Sequence, residues 1–266
     1  MAGLEDRVLI LRRFSFGESS LVLQLLTRTH GRVHLIARGA YRPKSRYYAA
    51  LDLFDSLRCE WSHSPGRELQ NLREAEIVVR RVALSRSLDT FRAGTAALEL
   101  TGLGAHLGQP APELFDLLEQ FLDALTDPEV RPEAALVVFE LRFLQQLGLF
   151  PALLRCASCD NEAPPLEGGT GRAAFSAGAG GRLCRSCAEQ ARAAGRRVGT
   201  LPARALELAS DLFREGARGP TARTLPTPSL ERIRDFVARF LEYHVEGRPK
   251  SYAEFLSVPN RNAPSA

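Results

Sequence analysis

Two pairs of cysteines lie in the second half of the chain, each with two residues between its members. A Cys-x-x-Cys unit on a tight loop turns both sulfurs inward, and two such units supply the four thiolate ligands that tetrahedral zinc prefers. Because four protein ligands would leave no open coordination position, the spacing predicts a structural zinc ion rather than a catalytic one. The predicted ligands are Cys156, Cys159, Cys184 and Cys187.

Two other roles for these cysteines stay open at the level of sequence. Disulfide bonds need an oxidising compartment, and the odd total of five cysteines argues mildly against them. A redox-active pair would be a single Cys-x-x-Cys beside a βαβ unit, a pattern that the sequence does not show. The fifth cysteine, Cys59, lies far from both pairs and is predicted to be a small buried apolar residue.

The second informative feature is the acid-free window, residues 19–51, which contains no aspartate or glutamate but several cations and tyrosines. Cations contact phosphates and aromatic rings stack on unpaired bases, so this composition favours nucleic-acid binding over the alternative of scattered, solvated surface charge. Strand periodicity adds that Arg32, His34 and Arg38 share one face. The predicted binding residues are Arg28, Arg32, His34, Arg38, Tyr41, Arg42, Lys44 and Arg46.

The elements that position these residues fall into successive segments. Residues 1–80 contain short apolar and aromatic runs separated by turn residues, which predict five strands. Five strands at this spacing indicate a small closed barrel, and the OB-fold is the natural five-stranded candidate. The predicted strands are 7–14, 19–28, 31–39, 53–61 and 67–78.

The period of the apolar residues changes after the barrel. Residues 81–150 show three runs with apolar residues three and four apart, separated by breakers, and predict three amphipathic helices. Residues 151–200 hold the cysteine pairs around a glycine- and proline-rich stretch that we interpret as a flexible insert. Residues 201–256 complete the helical domain, and the tail 257–266 is predicted to be disordered. The fold class is thus α+β multidomain, with a five-stranded barrel followed by an α-helical domain that carries an inserted four-cysteine zinc element.

The two helices of the last segment are predicted at 202–215 and 229–246. Ser229 after Pro228 is interpreted as the N-cap of the second helix, and Gly247 as its end.

Charge and hydropathy limit the function further. The net charge is +4, but residues 81–150 are acidic while the other segments are basic, so a polyanion is expected on the ends of the chain or on the cysteine segment. No apolar run approaches the length of a transmembrane helix, and the first residues do not read as a signal peptide. We therefore expect a cytoplasmic, nucleoid-associated protein. No motif of nucleophilic, metal-dependent or acid–base catalysis is present, so an enzyme is not expected.

Several stretches of the chain carry a pattern that is specific to one family. They include FGESSLVLQLLTRTHGRVHLIARGAYRPKSRYYAALDLF at 16–54, FELRFLQQLGLFPALLRCASC at 139–159, LCRSC at 183–187, and the late helix with YHVEGRPKSYAEFL. The matches at ELQNLREAEIV (68–78) and PELFDLLEQFLDAL (112–125) follow the same order. Over about residues 1–256 the chain resembles the bacterial RecO family of recombination mediators in DNA repair.

The resemblance implies a fold and a function. It implies an OB-fold, a helical domain with a four-cysteine zinc-binding element, and a non-enzymatic protein that binds single- and double-stranded DNA and anneals complementary strands. The implied partners are RecR, usually RecF, single-strand-binding protein and, indirectly, the RecA recombinase that is loaded onto coated strands. Some members of the family bind the acidic tail of single-strand-binding protein on the helical domain.

The resemblance also assigns roles by position. The implied phosphate contacts are Arg38, Arg42, Lys44 and Arg46, and the implied metal ligands are the four paired cysteines. Tyr41 departs from the family, which commonly has a basic residue there, and would add base stacking in place of charge. From the residues alone, two further classes stay open. One is a zinc-stabilised OB-fold RNA-binding module, and the other is an enzyme with nucleophilic cysteines.

Overall fold

The computed structural model describes residues 3–45, 47, 50–166, 171–247 and 251. Its first part is a closed barrel of five strands in the order β1-β2-β3-β5-β4, in which β1 pairs with both β2 and β4. All of the strand pairs are antiparallel except β3 with β5, which run parallel. This confirms the predicted five-stranded OB-fold barrel. The strands are β1 (Gly3–Phe16), β2 (Ser20–Thr27), β3 (Arg32–Ala37), β4 (Ser56–Ser62) and β5 (Leu69–Val79).

The barrel forms because its strands alternate apolar residues toward a common interior. Leu23 and Leu35 are directly opposite each other on β2 and β3, and both are fully buried. Cys59 and Trp61 on β4 lie in the same core, with exposures of 0% and 1%. The prediction that Cys59 is a buried apolar residue is therefore confirmed, and the single tryptophan of the chain lies in the same core.

Helices make up most of the remaining chain, as the change in period predicts. The first three are α1 (Leu88–Gly104), α2 (Pro112–Ala124) and α3 (Pro132–Gln146). After the cysteine segment come α5 (Ala203–Glu215), α6 (Pro220–Thr224) and α7 (Thr227–His244), with α4 (Arg185–Ala193) lying inside that segment. Phenylalanines and leucines of α2, α3 and α7 form one large buried core.

The start of α7 differs from the prediction. The helix begins at Thr227 rather than after Ser229, so Ser229 is not its N-cap. Pro228 lies within the first turn, where a missing backbone N–H costs nothing because that group has no intrahelical acceptor.

The cysteine segment is more ordered than its composition suggests. It contains a three-stranded antiparallel sheet in the order β7-β6-β8, formed by β6 (Arg172–Ser176), β7 (Gly181–Leu183) and β8 (Gly199–Pro202). The interpretation of this stretch as a flexible insert is therefore wrong for its described part. Residues 167–170 and the predicted disordered tail lie outside the described residues.

The barrel is joined to the helical region by a buried arginine. The Arg81 side chain is 1% exposed and donates hydrogen bonds to the carbonyl oxygen of Phe54, at 2.8 Å, and to Ser56 Oγ, at 2.9 Å. Its Nη2 also lies 2.6 Å from Asp123 Oδ1 on α2. Next to it, Glu119 of α2 accepts hydrogen bonds from Ser56 Oγ at 2.7 Å and from Arg7 Nη2 at 2.6 Å. The acidic face of α2 thus contacts the barrel through one fully buried arginine and through two carboxylates whose side-chain exposures are 16% for Glu119 and 55% for Asp123.

We predict that Arg81→Ala lowers the free energy of unfolding by about 3 kcal/mol, because it leaves buried acceptors without their donor. Urea unfolding followed by the fluorescence of Trp61, the only tryptophan of the chain, measures this value in the barrel.

The matched control is Arg58→Ala on β4, whose side chain is 54% exposed and pairs with exposed carboxylates. It should cost less than about 1 kcal/mol. Equal effects of the two substitutions would contradict the assigned role of Arg81.

Candidate nucleic-acid interface and metal centre

The turn after β3 presents cations to solvent. Arg38 is exposed and its Nε donates a hydrogen bond to Asn71 Oδ1 at 3.2 Å. Arg42 and Lys44 are also exposed, and neither forms an ion pair with any residue that the structure describes. The turn is tight because Gly39 and Lys44 both adopt positive φ values, +70° and +63°. These side chains are available to a polyanion. The fourth implied phosphate contact, Arg46, lies outside the described residues.

Three other residues of the predicted set have partners inside the protein. Arg28 makes two hydrogen bonds of 3.1 Å to Asp116 on α2. Arg32 is half-buried, and its Nη1 donates to the carbonyl oxygen of Gly102 on α1 at 2.7 Å. His34 Nδ1 lies 3.0 Å from Glu68 Oε1. These three residues therefore differ from the exposed cations of the turn, because each has a partner inside the protein. Their contact with phosphate stays a prediction.

Close backbone packing explains why the Arg32 side chain lies against the helical domain. Gly31 has a φ of +70°, and a Cβ atom at this position would lie 2.0 Å from the carbonyl oxygen of Gln109. The backbone N–H of Arg32 donates to the carbonyl of His106 at 3.1 Å, and its own carbonyl accepts from Gly108. The turn between β2 and β3 is thus packed against the segment that joins α1 to α2.

The structure adds one cation that lies outside the acid-free window. Arg12 on β1 is exposed, and among the described residues it has no hydrogen-bonding or charged partner. It lies opposite Gln24 of β2, which in turn lies opposite His34 of β3. Residues opposite each other on neighbouring strands share a face, so Arg12 lies on the outer face of this sheet. The signal in the sequence was strand alternation in β1, which is obscured by a bulge between Ile10 and Arg12.

The four paired cysteines come together as predicted. Their Sγ atoms all lie within 4.8 Å of one another, and Cys159 Sγ is 3.9 Å from Cys184 Sγ. Four sulfurs around one zinc ion at tetrahedral angles lie about 3.8 Å apart. The donor set and its spacing therefore fit a metal ion that is held entirely by the protein.

Local backbone structure places each pair. Cys156 begins a tight turn in which its carbonyl accepts from the N–H of Asp160, a residue at a φ of +55°. The N–H of Ala157 donates to the carbonyl of Arg182 at 2.8 Å, which ties this first turn to β7. Cys184 directly precedes α4, and Cys187 lies in the first turn of that helix. The turn that begins at Cys156 and the start of α4 thus bring the two pairs to one point.

Hydrogen bonds within the cluster shift the pKa values of Cys184 and Cys187 in opposite directions. The pKa of Cys184 is lowered to about 6, first by the hydroxyl of Ser186 and then by the backbone N–H of Cys187. The pKa of Cys187 is raised to about 12, because its thiol donates to the sulfurs of Cys184 and Cys159. A bound metal ion would take the place of the proton that the sulfurs share here. By contrast, burial alone raises the pKa of Cys59 to about 12, so that thiol stays protonated.

Comparison with known proteins decides the family. Residues 1–81 match the family described as "Recombination protein O N terminal", and residues 85–253 match "Recombination protein O C terminal". The chain belongs to the RecO family. It is a DNA repair protein with a role in recombinational repair, and its barrel is the OB-fold of the first RecO domain.

Relatives in the RecO family match along nearly the whole chain. The DNA repair protein RecO of Anaeromyxobacter sp. (strain K) is 36% identical over 257 residues, which cover 94% of this chain and 96% of the relative. The RecO of Myxococcus xanthus is 32% identical over 253 residues, with the same shares. That of Symbiobacterium thermophilum is 35% identical over 184 residues, or 68% of this chain and 70% of the relative.

Within the described residues, no helix combines the length and the hydropathy needed to cross a membrane.

Proposed function

We propose that this RecO-family protein is a non-enzymatic recombination mediator that binds single- and double-stranded DNA and anneals complementary strands. With RecR and RecF, it helps to load RecA onto strands coated by single-strand-binding protein. The observation that carries the DNA-binding step is the set of exposed cations on one side of the barrel, which have no charged partner among the described residues. They are Arg12, Arg38, Arg42 and Lys44.

The phosphate contacts follow from the partners that each cation has or lacks. An arginine already paired with a carboxylate must give up that pair before it binds a phosphate, whereas a solvated one releases only water and ions. Arg38, Arg42 and Lys44 therefore bind the sugar–phosphate chain. Arg46, which the family resemblance also assigns to phosphate, is the fourth proposed contact. Arg28 and Arg32 hold the barrel against the helical domain instead.

Annealing in this proposal needs no reacting group. The cations lower the repulsion between two strands, and a strand that is held by its phosphates leaves its base edges free to pair. The basic residues after the second cysteine pair, Arg192, Arg196 and Arg197, are exposed and available to a second strand.

The metal ion in the cysteine cluster is zinc. Four thiolates in a tetrahedral arrangement favour zinc, and with four protein ligands the ion would be structural. The apolar core of this element is small and rich in alanine, with Ala163, Ala174 and Ala188 among its buried residues. So little buried surface is a weak source of stability, and a metal crosslink would supply the remainder.

A cleft on the helical domain is the proposed site for the tail of single-strand-binding protein. It has a volume of about 370 Å³ and lies between α2, α3 and the turn after α5, with Phe121 and Phe139 in its wall. Its acidic residues have internal partners, because Asp123 pairs with Arg81 and Glu215 accepts from the N–H of Thr221. Arg142 is half-buried there and has no such partner in the described part of the chain. An apolar cleft with an unpaired cation suits an acidic peptide that ends in an apolar residue.

An RNA-binding module is the second candidate, since OB-fold barrels bind either nucleic acid. Competition of single-stranded RNA against single-stranded DNA of the same sequence distinguishes the two. Preferential binding of RNA, together with no acceleration of strand annealing, would favour this candidate.

We predict that Arg38→Ala/Arg42→Ala/Lys44→Ala weakens binding to DNA of any sequence, because phosphate contacts carry no sequence information. Since the variant removes three phosphate-binding cations, the slope of log affinity against log salt should flatten by about 2 for a single strand. Fluorescence anisotropy across a salt series measures both values.

The control for this variant removes three exposed arginines that form ion pairs within helices, Arg204, Arg214 and Arg239. It has the same net charge but should keep the slope of the unsubstituted protein. A slope that is unchanged in the first variant would reject the assignment of these phosphate contacts.

We predict that the purified protein holds one zinc ion per chain and that Cys156→Ser/Cys184→Ser removes it, because only two of the four ligands remain. Elemental analysis after dialysis measures the stoichiometry, and the cysteines should become reactive to an alkylating agent only after chelation. Cys59→Ala should keep the zinc, since Cys59 lies in the barrel core. Full zinc content in the double variant would show that the ion is bound elsewhere.

We predict that Arg142→Glu weakens binding of a peptide with the sequence of the acidic tail of single-strand-binding protein by at least about tenfold, because it replaces an attraction by a repulsion. Isothermal titration calorimetry measures the affinity. Arg239→Glu on α7 is the matched control and should bind as the unsubstituted protein does. Loss of binding in the control alone would place the site elsewhere.

A further inference from the structure

Three aromatic rings are exposed at one end of the barrel. Phe14, Phe16 and Tyr41 have exposures of 44%, 57% and 55%. A single exposed ring needs no explanation, but a group of rings in contact with solvent marks a binding surface more often than chance. The rings lie at the end of β1 and in the turn after β3, next to the free cations described above.

The register of the sheet brings these rings together. Phe14 lies opposite Val22 of β2, and Val22 lies opposite Ile36 of β3. Phe16 lies opposite Ser20, one pleat further along the same face. The two phenylalanines therefore lie on one face of the sheet. The buried apolar side chains of Val22 and Ile36 lie on the same face.

Tyr41 reaches the same end of the barrel by two hydrogen bonds. Its backbone N–H donates to the carbonyl of Ser19 at 3.0 Å, and its hydroxyl lies 3.1 Å from Ser15 Oγ on β1. A cleft of about 350 Å³ lies beside it and is lined by Phe14, Tyr41 and Arg13. Phe14 and Tyr41 thus line one cleft, and Phe16 lies two residues after Phe14 on the same face of β1. Tyr41 comes from a different part of the chain and contacts Ser15, whose side chain leaves β1 on the opposite face.

The surroundings of the rings indicate what binds them. Arg12 precedes Phe14 on the same strand, and Arg42 and Lys44 line a second cleft with Tyr41. An apolar protein surface would not complement these three cations, which have no charged partner among the described residues. A double helix presents phosphates but no exposed base faces. Unpaired nucleobases on a sugar–phosphate chain complement both the rings and the charges.

We propose that Phe14, Phe16 and Tyr41 form a platform on which unpaired bases of a single strand stack while the neighbouring cations hold its phosphates. The proposal rests on the proposed function and assigns base contacts where that function assigned only phosphate contacts. Every base has an aromatic face, so the platform accepts any sequence. Because a paired base in a duplex cannot reach the rings, the platform makes the barrel prefer single strands to double strands.

The test compares two oligonucleotides of the same length, one of thymidines and one whose residues are all abasic. Both carry the same phosphates, so they differ only in the groups that stack. The unsubstituted full-length protein should bind the thymidine strand at least about tenfold more tightly than the abasic strand.

The variant Phe14→Ala/Phe16→Ala should remove this difference. Each ring removed should weaken binding of the thymidine strand by about fivefold or more. Affinity for the abasic strand and for duplex DNA should stay the same, and so should the salt slope, since no phosphate contact changes. Phe14→Leu/Phe16→Leu keeps the apolar bulk but not the aromatic face, and should show the same loss. Tyr243→Ala on α7, whose ring is 64% exposed, is the control and should bind as the unsubstituted protein does.

The outcomes separate this proposal from the one on which it rests. If the unsubstituted protein binds neither oligonucleotide, the proposed function fails. If it binds both strands equally, or if the leucine variant keeps full affinity for thymidines, the protein binds DNA but the stacking platform is overturned. Loss of RecR binding by the alanine variant, with DNA affinity unchanged, would overturn it as well and would assign the rings to a protein interface.

Discussion

Pairing between the carboxylates of α2 and the arginines of the barrel decides how charge is distributed over this protein. Arg81 is buried against Asp123, Arg7 binds Glu119, and Arg28 binds Asp116. The charge of Arg81 needs such a partner, because a buried and unpaired charge costs several kcal/mol of solvation. The helical domain therefore pairs with some cations of the barrel, while Arg12, Arg42 and Lys44 have no charged partner among the described residues. The packing of the two domains thus decides which cations of the barrel remain available to a polyanion.

The structure supports a division of roles between the barrel and the cysteine element. The barrel offers cations and rings on a rigid sheet, which holds them at a defined spacing. The cysteine element has a core of small residues. Backbone hydrogen bonds between its first turn and β7 bring the two cysteine pairs together. Its sulfurs are close enough to share one ion, which supports a structural role for the element, whereas the exposed cations support a binding role for the barrel.

Much of the fold could be predicted from the periodicity of apolar residues. Apolar and polar residues alternate along the strands of the barrel, and apolar residues recur every three or four positions in the helices. Both patterns extend over enough residues to be recognised from the sequence. The sheet β7-β6-β8 was missed because its strands are short and rich in glycine and alanine, which have low strand propensity. The start of α7 was misplaced because a serine after a proline resembles an N-cap, although proline is favoured within the first turn of a helix.

From residue types at short, regular spacings, the sequence alone predicted the cysteine cluster and the five-stranded barrel. Longer matching stretches of the chain pointed to the family. It could not decide which arginines of the acid-free window are free. Arg28 and Arg42 are the same residue type in the same window, yet the partner of Arg28 lies 88 residues away on α2, while Arg42 has none among the described residues. Nor could it group Phe14 and Phe16 with Tyr41, since hydrogen bonds between distant segments place them at one end of the barrel. Electrostatic pairing and surface contact depend on distance in space, and only the tertiary structure specifies those distances.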